Sequence, residues 1–166
     1  MTEFSLGSIE VSLSPSERFA EFLQSRGMRL TQQRRALVEL IFRQHDHFDA
    51  DALVDELRQD KSGATKASPS TVYRTLKELV EAGLLRRMHL NGRAVYEHDY
   101  GYPQHDHLHC EKCDKLIEFQ SEELKALRAA VAAQHNFRVT GHRLIISGLC
   151  EDCSQQRRRK RPLDLI

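Results

Sequence analysis

Cys110 and Cys113 enclose two residues, Cys150 and Cys153 enclose two more, and 36 residues separate the pairs. Together they are all four cysteines of the chain. Each pair can put two thiolates on one ion about 2.3 Å away, and two pairs close a tetrahedral four-sulfur zinc site. A site closed by four sulfurs has no open position, so its role is structural. The same residues could instead form two disulfides in a secreted domain, a reading disfavoured because no apolar signal segment precedes the chain. A single pair could also serve as a redox dithiol, but two pairs with no cysteine left over point to zinc. Just ahead of the first pair runs His105-Asp106-His107-Leu108-His109. Its imidazoles and carboxylate are residue types able to ligate a divalent cation, so the interesting chemistry is expected there.

Those residues need a framework to hold them. At 166 residues the chain suits one domain or two small ones, and 40% hydrophobic with 30% charged residues fits modest cores. No run of 18 apolar residues occurs, so no membrane span is expected. The absence of a secretory signal and the thiolate reading of the cysteines lead us to expect a cytoplasmic protein. Net charge is only +1, so any nucleic-acid surface must be a local basic face rather than a global excess.

Residues 1–13 lack a sustained period and read as a flexible arm. Ser14-Pro15-Ser16-Glu17 is a capping box with proline at the first helical position. The helix it opens carries Phe19, Phe22 and Leu23 on one face and stops at Gly27. Thr31 caps a second helix with Leu37, Leu40 and Ile41, and Asp49 caps a third with Leu53, Val54 and Leu57. A polar loop covers 60–67, and Ser68-Pro69 opens a fourth helix that ends at Gly83. On that helix Val72, Leu76, Leu79 and Val80 belong to a core. Ser70, Tyr73, Arg74 and Lys77 share another face, with groups that reach phosphates and base edges. Asn91-Gly92 between residues 84–90 and 93–97 is a strong hairpin signal. Helices followed by a basic hairpin describe a winged helix-turn-helix over 14–99.

Gly101 and Pro103 mark a hinge at 100–104. Beyond it, 108–110 and 115–119 suit strands joined by the first cysteine knuckle. Residues 121–135 suit a helix with Leu124, Leu127 and Val131 as its stripe and Asn136 as its stop. Two more strands are expected at 137–139 and 143–147 before the second knuckle. A unit of about 50 residues is marginal without a staple, and zinc would supply one. Residues 154–166, with the run Arg157-Arg158-Arg159-Lys160-Arg161, read as a basic tail able to add salt-sensitive phosphate affinity.

An amino-terminal winged helix containing Thr71-Val72-Tyr73-Arg74, then His105-Asp106-His107, Cys-x-x-Cys, Ile117-Glu118-Phe119 and a closing Cys-x-x-Cys resembles the ferric uptake regulator (Fur) family, in the family's order, from about Gly27 to Cys153. The resemblance implies an α+β chain: a winged helix-turn-helix domain, then a small α/β dimerisation domain over 105–153 stapled by the four-cysteine zinc, with the helix at 121–135 near the subunit boundary. It implies a homodimeric, metal-responsive repressor of A·T-rich inverted-repeat operators. The family's regulatory ligands fall on His47, Glu97, His105, His107 and Glu118. Three imidazoles and two carboxylates suit Fe(II), Mn(II), Co(II) or Zn(II), with Fe(II) as the leading reading and Mn(II) or Zn(II) as alternatives. Peroxide-sensing relatives carry aspartate where Glu118 stands, which disfavours that branch.

A second regulatory ion is less well provided for. Only Asp106 and His142 match that family site, while Gln104 and Lys125 stand where the family has a histidine and a glutamate. For DNA, the resemblance places Ser70, Thr71, Tyr73 and Arg74 on the recognition helix, Arg29 at an A·T-rich minor groove, and Arg34 on a phosphate. The competing class is a zinc enzyme or redox-active zinc protein using Cys110 and Cys113. A hydrolytic zinc needs an open water position, which four thiolates do not leave, and no H-E-x-x-H occurs.

Overall fold

The computed structural model describes residues 9–43, 47–59 and 67–159, with side chains as far as 155. One compact unit ends at Pro103 and a second begins at Gln104.

In the first unit, α1 (Pro15–Ser25) starts on the expected capping box. The Ser14 side chain accepts from the Glu17 N–H at 3.3 Å, while Glu17 accepts from the Ser14 N–H at 2.8 Å. α2 (Gln32–Arg43) follows Thr31, whose hydroxyl accepts from the Arg34 N–H at 3.3 Å. α3 (Ala50–Gln59) is capped by Asp49, which accepts from Ala52 N–H at 2.6 Å. α4 (Pro69–Glu81) is capped by Ser68 and released at Gly83, where φ is +70°. The apolar stripes of these helices meet in one core that includes Phe19, Leu23, Leu37, Ile41, Leu53, Leu76 and Leu79.

The hairpin is β2 (Leu85–Leu90) and β3 (Arg93–His98), closed by Asn91 and Gly92 at φ +48° and +78°. Two successive positive φ values match the right-handed twist of the strands, which is why Asn-Gly is favoured there. A strand not expected from the sequence, β1 (Phe48–Asp49), pairs antiparallel with the free edge of β3, Phe48 opposite Tyr96. Two residues are too few to show a period, so β1 exists because β3 offers an edge.

Of the arm expected over 1–13, residues 1–8 lie outside the described residues. Ile9 donates its N–H to Gly101 O at 2.8 Å, and Leu13 O accepts from the Tyr100 hydroxyl at 3.1 Å. Residues 9–13 are therefore tethered. Most of the expected loop at 60–67 also lies outside the described residues.

The second unit is built on a three-stranded sheet ordered β5-β4-β6, from β4 (Asp106–Cys110), β5 (Leu116–Phe119) and β6 (Ile145–Gly148). β4 is antiparallel to β5 and parallel to β6. α5 (Glu122–Gln134) is capped by Ser121, and Asn136 beyond its end takes φ +48°. No residue of α5 is buried, and its expected apolar stripe includes Leu127 at 60% and Val131 at 47% exposure. The strand expected at 137–139 does not form, because no described segment of the chain lies beside it to complete a ladder, and Phe137 is 68% exposed. The expected tail also differs. Its first residues continue α6 (Glu151–Arg159), whose first turn carries Glu151 and Asp152, acids that favour a helix N-terminus. Residues 160–166 lie outside the described residues. Among the described residues no helix is long and apolar enough to cross a membrane.

Candidate metal centre and nucleic-acid face

The β4–β5 knuckle carries Cys110 and Cys113, and the start of α6 carries Cys150 and Cys153. The parallel β4–β6 ladder runs to Cys110 opposite Gly148, so the chain leaving β6 delivers the second pair beside the first. All four sulfurs lie within 4.8 Å of one another, and Cys113 Sγ is 3.7 Å from Cys150 Sγ. Four sulfurs about 2.3 Å from a central ion have edges of about 3.8 Å, so the cluster fits a structural zinc. Without a cation the thiols cannot ionise together. The Cys150 N–H, donating to Cys110 Sγ at 3.3 Å, brings the Cys110 thiol down to about 6. Burial first, then its sulfur neighbours, push Cys153 up to about 12. A dication removes that conflict by drawing out all four protons.

The regulatory candidates form one group in each unit. The β1–β3 register, continued one residue past Phe48 opposite Tyr96, sets His47 across from Glu97, and their Nε2 and Oε2 are 3.3 Å apart. On the other side of Glu97, β2 presents Arg86, whose Nη1 is 3.6 Å from Oε1. In the second unit His105 and His107 share a face, with ring centroids 4.9 Å apart. Glu118 is the ladder partner of His107, and its Oε1 is 3.9 Å from His105 Nε2.

Asp106 points to the opposite face of β4, where it meets His142. The His142 Nε2 is 2.9 Å from Asp106 Oδ1 and 3.2 Å from Oδ2. The other ring nitrogen, Nδ1, is engaged by Nη1 of Arg128, which also donates to Gln104 Oε1 at 3.2 Å. Lys125, one turn earlier on α5, pairs with Glu122 at 3.4 Å.

On the DNA-binding candidate, Ser70 and Thr71 hydroxyls each lie 2.9 Å from the Ser68 hydroxyl, so the exposed start of α4 is rich in donors. Tyr73 is 45% exposed, and its hydroxyl donates to Asp51 of α3, a bond that holds the phenol above its ordinary range. Arg74 is exposed and donates through Nε to Glu78 Oε1 at 3.1 Å, and Arg29 is exposed. Arg34 is placed differently from its fellow candidates. Its side chain is 11% exposed, its guanidinium pairs with buried Glu78 and sits 5.7 Å from the Phe19 ring centroid. Loss of solvent, and then the nearby Arg74 charge, hold it below the usual guanidinium range. Sequence reasoning missed Glu78; the signal was a carboxylate between Thr75 and Leu79 on the stripe facing the core. It also missed the concavity of about 720 Å³ between α4 and the hairpin, lined by Tyr73, Lys77, Arg87 and Arg93 but also by Asp49 and Asp51.

Comparisons with known proteins identify the family of this chain. The model of the ferric uptake regulator family matches residues 25–147. A ferric uptake regulation protein of Campylobacter jejuni is 31% identical over 141 residues, covering 85% of this chain and 89% of its own. The Helicobacter pylori ferric uptake regulator structure, described as having three functional metal binding sites, superposes with a TM-score of 0.75 at 24% identity, over 89% of this chain and 96% of that one. A zinc-bound manganese uptake regulator structure superposes with a TM-score of 0.55 at 37% identity, over 80% and 98%. With the family model spanning most of its length, this chain belongs to the ferric uptake regulator family.

Proposed function

We propose that the regulatory ion of this chain is Fe(II), held by His47 and Glu97 together with His105, His107 and Glu118, and that the loaded homodimer represses at A·T-rich inverted repeats. As a member of its family the chain is a metal-responsive transcriptional regulator that binds DNA as a dimer, not an enzyme. The zinc hydrolase and redox readings therefore fall away. A protein that acts on DNA and keeps its thiols reduced belongs in the cytoplasm.

The observation that carries the ligand reading is the pair of ladder registers. One sets His47 against Glu97, and the other gathers His105, His107 and Glu118 on one face. Each unit alone offers too few donors for a five- or six-coordinate ion, and the two groups together offer enough. An ion that draws on both favours one mutual angle of the units. In a dimer that angle sets the separation of the two α4 helices, and half-site spacing is geometric. At each half-site the Ser70 and Thr71 hydroxyls and the α4 N-terminus face phosphate. Tyr73 reaches a thymine methyl or the backbone, Arg74 positions, and Arg29 enters the narrow minor groove.

Fe(II) is favoured by the likeness to the ferric uptake regulation protein of Campylobacter jejuni, and the 37% identity to a manganese uptake regulator makes Mn(II) the second reading. The test is binding of an A·T-rich inverted-repeat duplex by zinc-loaded protein, with and without anaerobic Fe(II) or Mn(II). A coupling of about 1–3 kcal/mol tightens binding by about 5- to 150-fold, and His105→Ala/His107→Ala removes the response. Equal affinity with and without either ion sinks the regulatory reading.

A further inference from the structure

The family resemblance implies a second regulatory ion at Asp106 and His142, and the side chains found there do not fit one. We infer that Arg128 stands as a permanent cation where that ion would sit, so that this chain takes a single regulatory ion per subunit.

Three observations converge. First, the donors are thinned, since Gln104 and Lys125 replace two of the expected ligands and Lys125 adds a positive charge one turn from Arg128. Second, both nitrogens of His142 are occupied. A guanidinium has hydrogens to give and no lone pair to offer, so Nδ1 of His142 must accept from Arg128. The one ring proton of neutral imidazole then sits on Nε2 and is donated to Asp106. Third, Asp106 is 4% exposed, and a carboxylate so buried needs a countercharge. The chain Arg128–His142–Asp106 supplies it, with the ring relaying between guanidinium and carboxylate and Gln104 holding the guanidinium and the His142 backbone together. Gln104 accepts from Arg128 at 3.2 Å and donates to His142 O at 3.2 Å. An incoming dication would have to take the proton from Nε2, or drive Arg128 off Nδ1, and would meet the Arg128 guanidinium in either case.

The count of one ion rests on the five-donor reading above, the exclusion of an ion at Asp106 and His142 does not, and the test keeps the two apart. Zinc-loaded full-length protein carrying His105→Ala/His107→Ala, which lacks the first regulatory set, is dialysed against Mn(II) and its metal content per subunit measured by mass spectrometry. It should hold no Mn(II). Adding Arg128→Glu, which exchanges the cation for a carboxylate, should introduce one Mn(II) per subunit, and His142→Ala should remove it again. Should Arg128→Glu lose its zinc, Arg128→Ala serves in its place with the same gain expected. The unsubstituted protein gives an independent readout. Nitrogen-15 spectra should show His142 neutral with its proton on Nε2, and the pattern should persist when Mn(II)-free protein receives excess Zn(II). The inference is overturned if the double-alanine protein already holds an ion that His142→Ala removes. It is equally overturned if a zinc-retaining Arg128 variant gains none, or if Zn(II) strips the Nε2 proton.

Discussion

Glu78 is a carboxylate on the buried face of α4, beside Thr75 and Leu79, and it is tolerated because two guanidiniums meet it. Glu78→Ala leaves the Arg34 charge out of water without its partner, a situation that costs about 3–5 kcal/mol. Arg34→Met in the same unit should cost less, since it removes the charge and keeps the stem over Phe19. Denaturant midpoints of both variants check the order. The zinc residues behave differently: Cys113→Ser should lower zinc from one per subunit to near zero and make unfolding of the second unit chelator-insensitive, read by metal analysis and by far-ultraviolet melting with and without chelator. The contrast shows what a sequence can disclose. Cysteine pairs announce themselves by local spacing, and so did the histidines of β4, two apart on one strand face. The Arg34–Glu78 pair joins residues 44 positions apart whose meeting is set by how α2 packs on α4, and no local period records that.

Elements follow the same division. Helices with side-chain caps were legible to within a residue or two, because Ser14, Thr31, Asp49, Ser68 and Ser121 sit ahead of apolar stripes and carry out the same chemistry wherever they occur. Ser68→Ala should destabilise the first unit by about 1 kcal/mol. Gly92→Ala meets no atom within 4 Å but must hold φ +78°, so backbone strain alone should cost about 1–2 kcal/mol. Both are measured by chemical denaturation of the full chain. The α1 cap also carries a pH signature. Its hydrogen bonds from Ser14 hold the Glu17 carboxyl below its ordinary value, so the cap's contribution is complete above the unfolded carboxyl's pKa and fades as pH falls through the lowered one. Glu17→Gln should flatten that part of the acid limb of a stability profile. Three elements escaped the sequence for one reason: they depend on a neighbour. β1 exists because β3 has an open edge, α6 begins where the second cysteine pair is anchored, and 137–139 stays out of a sheet because no strand lies beside it among the described residues.

At the scale of the molecule, we propose that the outward apolar row on α5 and Phe137 is the face a second subunit covers, since Leu127, Val131 and Phe137 are exposed and the family acts as a dimer. Val131→Asp should shift the protein to monomer in sedimentation while its zinc content is unchanged. Loading of the regulatory ion should weaken on acidification. Imidazole ligates only when unprotonated, so a site with three histidines loses affinity progressively as pH falls. Constant Mn(II) affinity from about pH 5 to about pH 8 would contradict a site built on them.

The guanidinium of Arg86 beside Glu97 has a bearing on how quickly a repressor of this kind can let go. A carboxylate released by its ion would ordinarily be stranded in poor surroundings, and that penalty would make departure slow. With Glu97 among the proposed ligands, Arg86 stands 3.6 Å away to receive its negative charge once the ion leaves, which lowers the cost of release and favours prompt derepression when the metal is scarce.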